Sequence, residues 1–230
     1  MCENIETNKL LDLDKTIAKT LFENYTYAFE VLPKIGEYIQ FIGKSLSLDE
    51  YELTGENIWV SKNAKVYASA TITGPAIIGH NTEVRPGAWM RENVIIGENC
   101  VIGNSTEIKN SILFNNVQVP HFNYIGDSVL GYKAHFGAGS ITSNVKSDRS
   151  LVTIKVNDKV IETYLRKFGA VVGDFVEIGC QAVLNPGTII GRNSTIYPLT
   201  SVRGYVEADT ILKLMPEQKS VKKFSLGGIT

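Results

Sequence analysis

Residues 60–108 read VSKNAKVYASATITGPAIIGHNTEVRPGAWMRENVIIGENCVIGNSTEI. Through this stretch a large apolar side chain returns at every sixth position: Val60, Val66, Ile72, Ile78, Val84, Met90, Ile96, Ile102 and Ile108. Four residues after each stands Ala64, Ala70, Ala76, Thr82, Ala88, Val94, Cys100, Thr106 and Ile112, a series that is mostly small. Each small residue therefore precedes the next large one by two, and residues two apart share one face of a strand. Every hexad predicts a short strand with one small and one large side chain pointing inward. Glycine often follows the large residue, as at Gly79, Gly97 and Gly103. There it predicts a sharp corner, with a positive φ where the turn needs one. Three hexads close one triangular coil. Stacked coils bury a single apolar column, and each backbone pairs with the coils above and below. A helix does not fit, because apolar positions do not recur at three and four and β-branched residues dominate.

A second run, Val172, Ile178, Leu184, Ile190, Ile196 and Val202, has Gly173, Gly179 and Gly191 at the corner position. Between the runs the series continues as Leu113, Val119, Ile125, Leu130 and Phe136, and the steps from Ile108 to Leu113 and from Ile125 to Leu130 are five residues. After Ser140 the repeat stops until about Val172. The interval holds LVTIKV (151–156) and KVIETY (159–164) around Asn157 and Asp158, which predicts a β-hairpin excursion from the prism. Excursions of this kind are where sites are often built. At the N-terminal end, Leu10, Leu13, Ile17 and Leu21 fit a helical stripe with Asp12 or Asp14 near its start, and KIGEYIQFIG (34–43) predicts a second short helix. These helices are expected to cap the open end of the prism. The tail after Arg203, with Lys219, Lys222 and Lys223, is expected to be a solvated end. The chain thus divides into a helical cap at 1–54, a prism at 55–204 with its excursion at about 142–171, and a tail at 205–230.

Twenty-three Lys and Arg against 24 Asp and Glu give a net charge of −1. That balance excludes a surface built wholly for nucleic acid or for anionic lipid. No apolar run reaches the roughly 18 residues of a membrane span, and the polar, acidic start MCENIETNKLLDLDK is unlike a secretory signal. Cys2, Cys100 and Cys180 lie far apart with no CxxC spacing. They read as reduced thiols of a cytoplasmic protein, two of them packed as small apolar groups.

The chain has three histidines. His80 follows a corner glycine and is expected to be an exposed corner residue. His121 lies in VPHFNYIGD within the irregular stretch, beside Asn123 and Tyr124, and His135 precedes FGAGS. No two have close metal-ligand spacing, so a zinc site is disfavoured. Arg85 and Lys109 each follow an inward residue, and Asn144, Lys146 and Arg149 come after the break. These read either as solvated charge or as a clamp for phosphate or carboxylate. GxxxxGK[ST], HExxH and GxSxG are absent.

The hexads resemble those of hexapeptide-repeat acyltransferases. VRPGAWM, STEIKN, VPHFNYIGDSVLG, HFGAGSITSN and VVGDFVEIGCQAVLNPGTIIG resemble the acetyltransferase domain of bacterial and archaeal bifunctional sugar-1-phosphate enzymes, over about half the chain. The resemblance implies a mainly β fold, a left-handed parallel β-helix with an N-terminal helical segment and an inserted hairpin. It implies a homotrimer, and transfer of an acetyl group from acetyl-CoA to the amine of a glucosamine-1-phosphate-like sugar, a step that needs no metal. It further implies His121 as general base, oriented by Glu107. Arg85, Lys109, Tyr124 and Asn144 would contact the sugar phosphate, and Ala138 and Cys180 would line the acetyl-CoA groove. The sequence departs from the bacterial pattern at His135, where the family has Asn facing the sugar, and at Ser150, where it has Lys; Lys146 or Arg149 are the substitutes within reach. No Gly-rich nucleotide loop precedes the repeats, so nucleotidyl transfer is expected to fall to a separate nucleotidyltransferase partner. The other reading is a non-catalytic trimer that binds a sugar phosphate or nucleotide sugar.

Overall fold

The computed structural model describes residues 3–215 and Ser220, so Cys2, Lys219, Lys222 and Lys223 lie outside the described residues. The hexads form three ladders of short parallel strands around one column. The first face has nine strands. Its edge strand Tyr51–Gly55 is antiparallel to Ile58–Ser61, and the ladder then runs parallel from Ala76–Ile78 to Tyr205–Val206. The second face has eight strands, from Lys65–Val66 to Ile211–Leu212, and the third has seven, from Thr71–Ile72 to Ser201–Val202. The product is a parallel β-solenoid. Val84, Met90, Ile96, Ile102, Ile108, Leu113, Val119, Ile125, Leu130 and Phe136 are all fully buried in its column. Polar members of the small inward series bond to neighbouring backbone: Thr82 donates to Gly97 O at 2.7 Å and Ser140 to Gly137 O at 2.6 Å. That satisfies groups that burial would otherwise penalise.

The two five-residue steps fall at the same corner, from the third face to the first. Asn110 and Asp127 turn it with φ of 44° and 47°. The shortening moves the small inward place to Ser111, and Ile112 faces outward instead of following the earlier series inward. In the next coil this corner expands into the excursion, where Thr153–Val156 pairs antiparallel with Lys159–Glu162. The solenoid also continues past residue 204. Tyr205–Val206 and Ile211–Leu212 add a further strand to the first and second faces, so the expected tail begins later.

The corner glycines differ from expectation. Gly103 has the expected positive φ, 84°, but after Gly79, Gly97 and Gly191 it is carried two residues later, by Asn81, Asn99 and Asn193, residues that tolerate the left-handed region. Gly79 is needed for close approach: a Cβ there would lie 2.5 Å from Gly97 O in the next coil.

The N-terminal segment does not close the end of the prism. It lies along the first face. The outward ladder Trp59, Ile77, Ile95, Ile112, Val129, Val171 and Ile189 is buried beneath it, with all but Trp59 at most 1% exposed. The Phe22 ring meets Phe114 edge-on at 5.8 Å and Phe29 meets Phe168 at 5.3 Å. Asp174, itself buried, fixes the strap by accepting N–H bonds from Asp12 and Tyr132, each at 2.8 Å, with Arg192 at 3.1 Å. Burial pushes the Asp174 carboxyl above its ordinary range, against those partners. The predicted stripe over Leu10–Leu21 is broken into Thr7–Leu10, a 3-10 turn at Leu13–Lys15, and Lys19–Phe22. Contacts with the coils set its path: Asn115 N–H binds Lys15 O at 2.9 Å and Asp174 N–H binds Leu10 O at 3.0 Å. The second helix is Ile35–Gly43, with Gly43 pressed against the Trp59 ring. Among the described residues, no helix is long and apolar enough to cross a membrane.

Two tests follow from this packing. Ile95→Ala should lower the unfolding free energy by about 2–4 kcal/mol. Val183→Ala, outward on the uncovered third face, should cost less than about 1 kcal/mol; denaturant titration compares them. Cys100 is buried, and burial pushes its thiol up to about 12, whereas Cys180 is exposed, so of the two described thiols one is packed. Maleimide should therefore label Cys180 in the folded protein and Cys100 only after unfolding, as read by peptide mass spectrometry.

Candidate active site

The corner from the second face to the third repeats in every coil. Its second residue is Asn104, His121, Ala138, Cys180 and Pro198 in successive coils. Backbone bonds fix the stack: Phe122 N–H to Asn104 O at 3.1 Å, Gly139 N–H to His121 O at 3.0 Å, Gln181 N–H to Ala138 O at 2.9 Å and Leu199 N–H to Cys180 O at 3.0 Å. Coils in a parallel ladder are about 4.8 Å apart, so Cys180 stands about 10 Å along the edge from His121. Residues far apart in sequence thus form one straight line. The third residue of each of these corners has positive φ, at Ser105, Phe122, Gly139, Gln181 and Leu199. This turns Phe122 and Leu199 outward, 63% and 70% exposed.

His121 is exposed, and its Nδ1 lies 3.4 Å from Asn104 Oδ1. Asn123, buried behind it, accepts the His121 N–H through Oδ1 at 3.0 Å and donates to Gly137 O at 2.9 Å. The imidazole therefore stands on a fixed backbone. The expected contact of His121 with Glu107 is not made. Glu107 belongs to the outward ladder Trp89, Glu107, Tyr124 of the third face, where Arg91 Nη1 binds its Oε1 at 3.2 Å. A charge-assisted bond from the coil below holds it there.

Tyr124 spans the third face. Its hydroxyl accepts from Asn144 Nδ2 at 3.1 Å, and the ring crosses Gly126, where any Cβ would overlap the phenol oxygen. Asn144 also binds the buried Asp127, which takes Asn110 Nδ2 at 2.9 Å and has Lys109 Nζ at 3.7 Å. Burial pushes the Tyr124 phenol up, and the charges of Asp127 and Glu107 add to the effect, so it remains a neutral O–H donor near neutral pH.

Other expected residues lie apart from these within one chain. Arg85 opens the corner two coils before His121 and is paired with Glu83 at 2.9 Å. Lys109 is at the opposite edge of the third face, so the two do not form a clamp in one chain. His135 points outward on the second face, its Nδ1 2.7 Å from Glu177 Oε2 in the next coil. Lys146 and Arg149 stand on the excursion; Lys146 Nζ donates to Leu151 O at 3.4 Å. His80 is half-buried, not an exposed corner: its Nδ1 is 2.7 Å from Ser61 Oγ, and its ring meets Tyr51. The three histidines do not converge. Two residues that sequence reasoning missed, Asn104 and Arg91, precede His121 and Glu107 by one coil; the coil period is the signal that would have found them.

Residues 72–190, just over half the chain, match the family model described as the GMPPB C-terminal domain. The chain is 35% identical over 207 residues to the bifunctional protein GlmU of Methanococcus vannielii, covering 81% of this chain and 48% of that protein. It is 36% identical over 198 residues to GlmU of Methanococcus aeolicus, covering 78% and 48%. The bifunctional sugar-1-phosphate nucleotidylyltransferase/acetyltransferase of Sulfurisphaera tokodaii is 34% identical over 150 residues, covering 65% and 37%. The chain spans about half the length of the first two relatives. The matched segment contains the corner ladder from Arg85 to Cys180, and on this match the chain belongs to the GMPPB C-terminal domain family.

Proposed function

We propose that the chain is a coenzyme A-dependent N-acetyltransferase whose acceptor is an amino-sugar-1-phosphate. The observation that carries this reading is the corner ladder: the one exposed imidazole on that edge is followed by Ala138 and Cys180, side chains small enough to leave a groove along it. The acetyltransferase named in the Sulfurisphaera tokodaii relative supports the same chemistry. In the reaction the sugar amine attacks the thioester carbonyl, a C–N bond forms, and the C–S bond breaks. His121 takes the amine proton and returns it to the departing thiolate. An Asn104 Oδ1 that accepts Nδ1–H leaves the Nε2 lone pair as the base. Lys109 and Arg85 bind the acceptor phosphate, and Asn144 and Tyr124 its hydroxyls. His135, Lys146 and Arg149 set which sugar fits. A separate nucleotidyltransferase partner would convert the acetylated product.

The reading includes a homotrimer in the cytoplasm. The N-terminal strap covers the first face and leaves the second and third for packing between copies. Exposed Phe122 and Leu199 on the His121 edge supply apolar contacts. Packing of this kind would bring Arg85 and His121 of one copy to Lys109 and Asn144 of the next. Light scattering should report three copies per particle at micromolar concentration; a monomer would remove any site shared between copies.

The activity test is thiol release from acetyl-CoA across a panel of amino-sugar-1-phosphates. His121→Ala should lower kcat about 10²–10⁴-fold with particle size and melting temperature unchanged. Asn104→Ala should lower it less, since it removes only the orienting acceptor. Full kcat in His121→Ala would refute the base assignment. Binding of a sugar phosphate by a wild type that turns over none of the panel would make the chain a binding protein.

A further inference from the structure

Lys109, Tyr124 and Asn144 come from three successive coils and converge on a carboxylate that the reaction above does not use. Asp127 stands among them at the corner from the third face to the first, 4% exposed. Its Oδ2 takes Asn144 Nδ2, its Oδ1 takes Asn110 Nδ2 at 2.9 Å, and Lys109 Nζ lies 3.7 Å from Oδ1. Backbone bonds fix it in the stack: its N–H donates to Lys109 O and its own O accepts from Gly169 N–H, each at 2.9 Å. A corner by itself does not need so many partners. Asp209 makes the same kind of rung at the corner from the first face to the second, with φ of 56° against 47° at Asp127, and accepts Asn193 Nδ2 from the coil before it at 2.7 Å. That carboxylate is exposed, and Asn193 is its one side-chain partner among the described residues. Burying Asp127 costs solvation that its partners must offset. Beyond Asn110, those partners are side chains assigned to the acceptor.

A carboxylate only accepts hydrogen bonds, so the Asn144 amide has to turn its NH2 toward Asp127. The same Nδ2 reaches the Tyr124 hydroxyl at 3.1 Å. That leaves Asn144 Oδ1 pointing away from the carboxylate. Neither this oxygen nor Lys109 Nζ has a hydrogen bond among the described residues. Neither is sealed from water, because the buried side-chain atoms without a partner there are Arg192 Nε and Thr200 Oγ1. The Tyr124 oxygen, having accepted from Asn144, keeps its own hydrogen for a ligand. Around Asp127 the surface thus presents one acceptor, Asn144 Oδ1, and two donors, the Tyr124 O–H and the Lys109 ammonium. The 3.7 Å separation from Lys109 is short enough to balance the ammonium charge and too long to use up its N–H groups.

We propose that Asp127 is a positioning residue that fixes this pattern of donors and acceptors. The acceptor then binds with one hydroxyl donating to Asn144 Oδ1, a second oxygen accepting from Tyr124, and its phosphate on Lys109, while Asp127 touches none of these groups. The inference rests on the reading of these three side chains as acceptor contacts, and it is tested by binding without turnover, so the two can fail separately.

Isothermal titration with glucosamine-1-phosphate and its 3-deoxy, 4-deoxy and 6-deoxy analogues tests it on the wild type, Asp127→Asn, the matched corner variant Asp209→Asn, and the exchange of Asp127→Asn with Asn144→Asp. Turnover is measured alongside, and circular dichroism checks each fold. Asn keeps the shape of Asp and its tolerance of positive φ. In Asp127→Asn the Kd and KM for glucosamine-1-phosphate should rise about tenfold, as for loss of one oriented hydrogen bond, with the KM for acetyl-CoA unchanged. The deoxy analogue that loses most affinity for the wild type should lose little for Asp127→Asn, since the partner of that hydroxyl is no longer held. Asp209→Asn should match the wild type. The exchange keeps a carboxylate–amide contact but reverses which side donates, so it should fold and bind at least as weakly as Asp127→Asn; it decides the matter if Asp127→Asn alone does not fold. Binding by Asp127→Asn as tight as that of the wild type overturns the proposal, and so does tighter binding, the result expected if the carboxylate merely repelled the phosphate. An equal loss in Asp209→Asn, analogue penalties left unchanged in Asp127→Asn, or wild-type affinity in the exchange variant overturns it as well. A wild type that binds none of the four compounds overturns it together with the acceptor contacts. Binding without turnover, weakened as expected in Asp127→Asn, refutes acetyl transfer alone and supports the positioning role.

Discussion

Coil-on-coil backbone pairing governs this molecule. Each short strand bonds to the coils on either side, and that pairing fixes adjacent coils at about 4.8 Å. At this spacing a corner has no room for a Cβ that points into the next coil. Gly79, Gly97 and Gly179 meet the backbone of the following coil closely enough to require glycine. The same spacing explains the small inward series, in which Ala, Ser and Thr alternate with Val, Ile and Leu. Hydroxyls are tolerated in that buried series because the neighbouring carbonyls are within reach, as for Ser128 and Gly126 O at 2.7 Å.

Once the coils are stacked, the edges of the prism become straight rows. Asn104, His121, Ala138 and Cys180 are therefore neighbours along one corner, although more than seventy positions separate the first from the last. A second row, at the corner from the third face to the first, carries every irregularity of the repeat: Asn110, Asp127, the hairpin excursion and Gly204. The prism absorbs insertions there because a corner loop bulges outward without moving the ladders. Tyr124 joins the two edges by lying across Gly126 to Asn144.

Asymmetry among the three faces comes from one feature. The first face carries outward apolar residues at Ile77, Ile95, Ile112, Val129, Val171 and Ile189, and the N-terminal strap covers them. Burial on both sides of that ladder makes its strands continuous apolar triplets such as Ala76–Ile78 and Val94–Ile96. The triplets recur once per coil. They are a signal, readable in the sequence, that one face is packed and two are not.

The hexad period, the two five-residue steps and the hairpin were legible in the sequence because each follows from local spacing: an inward side chain every six residues can be satisfied by one coil geometry. The neighbourhood of His121 was only partly legible. Its partner Asn104 comes from the preceding coil, and Glu107 is held by Arg91, because long charged side chains choose among neighbours that appear only when coils stack. The strap along the first face and the broken helix over Leu10–Leu21 were decided by tertiary structure alone. Each depends on which of three similar faces a distant segment packs against, and no periodicity within the segment encodes that choice.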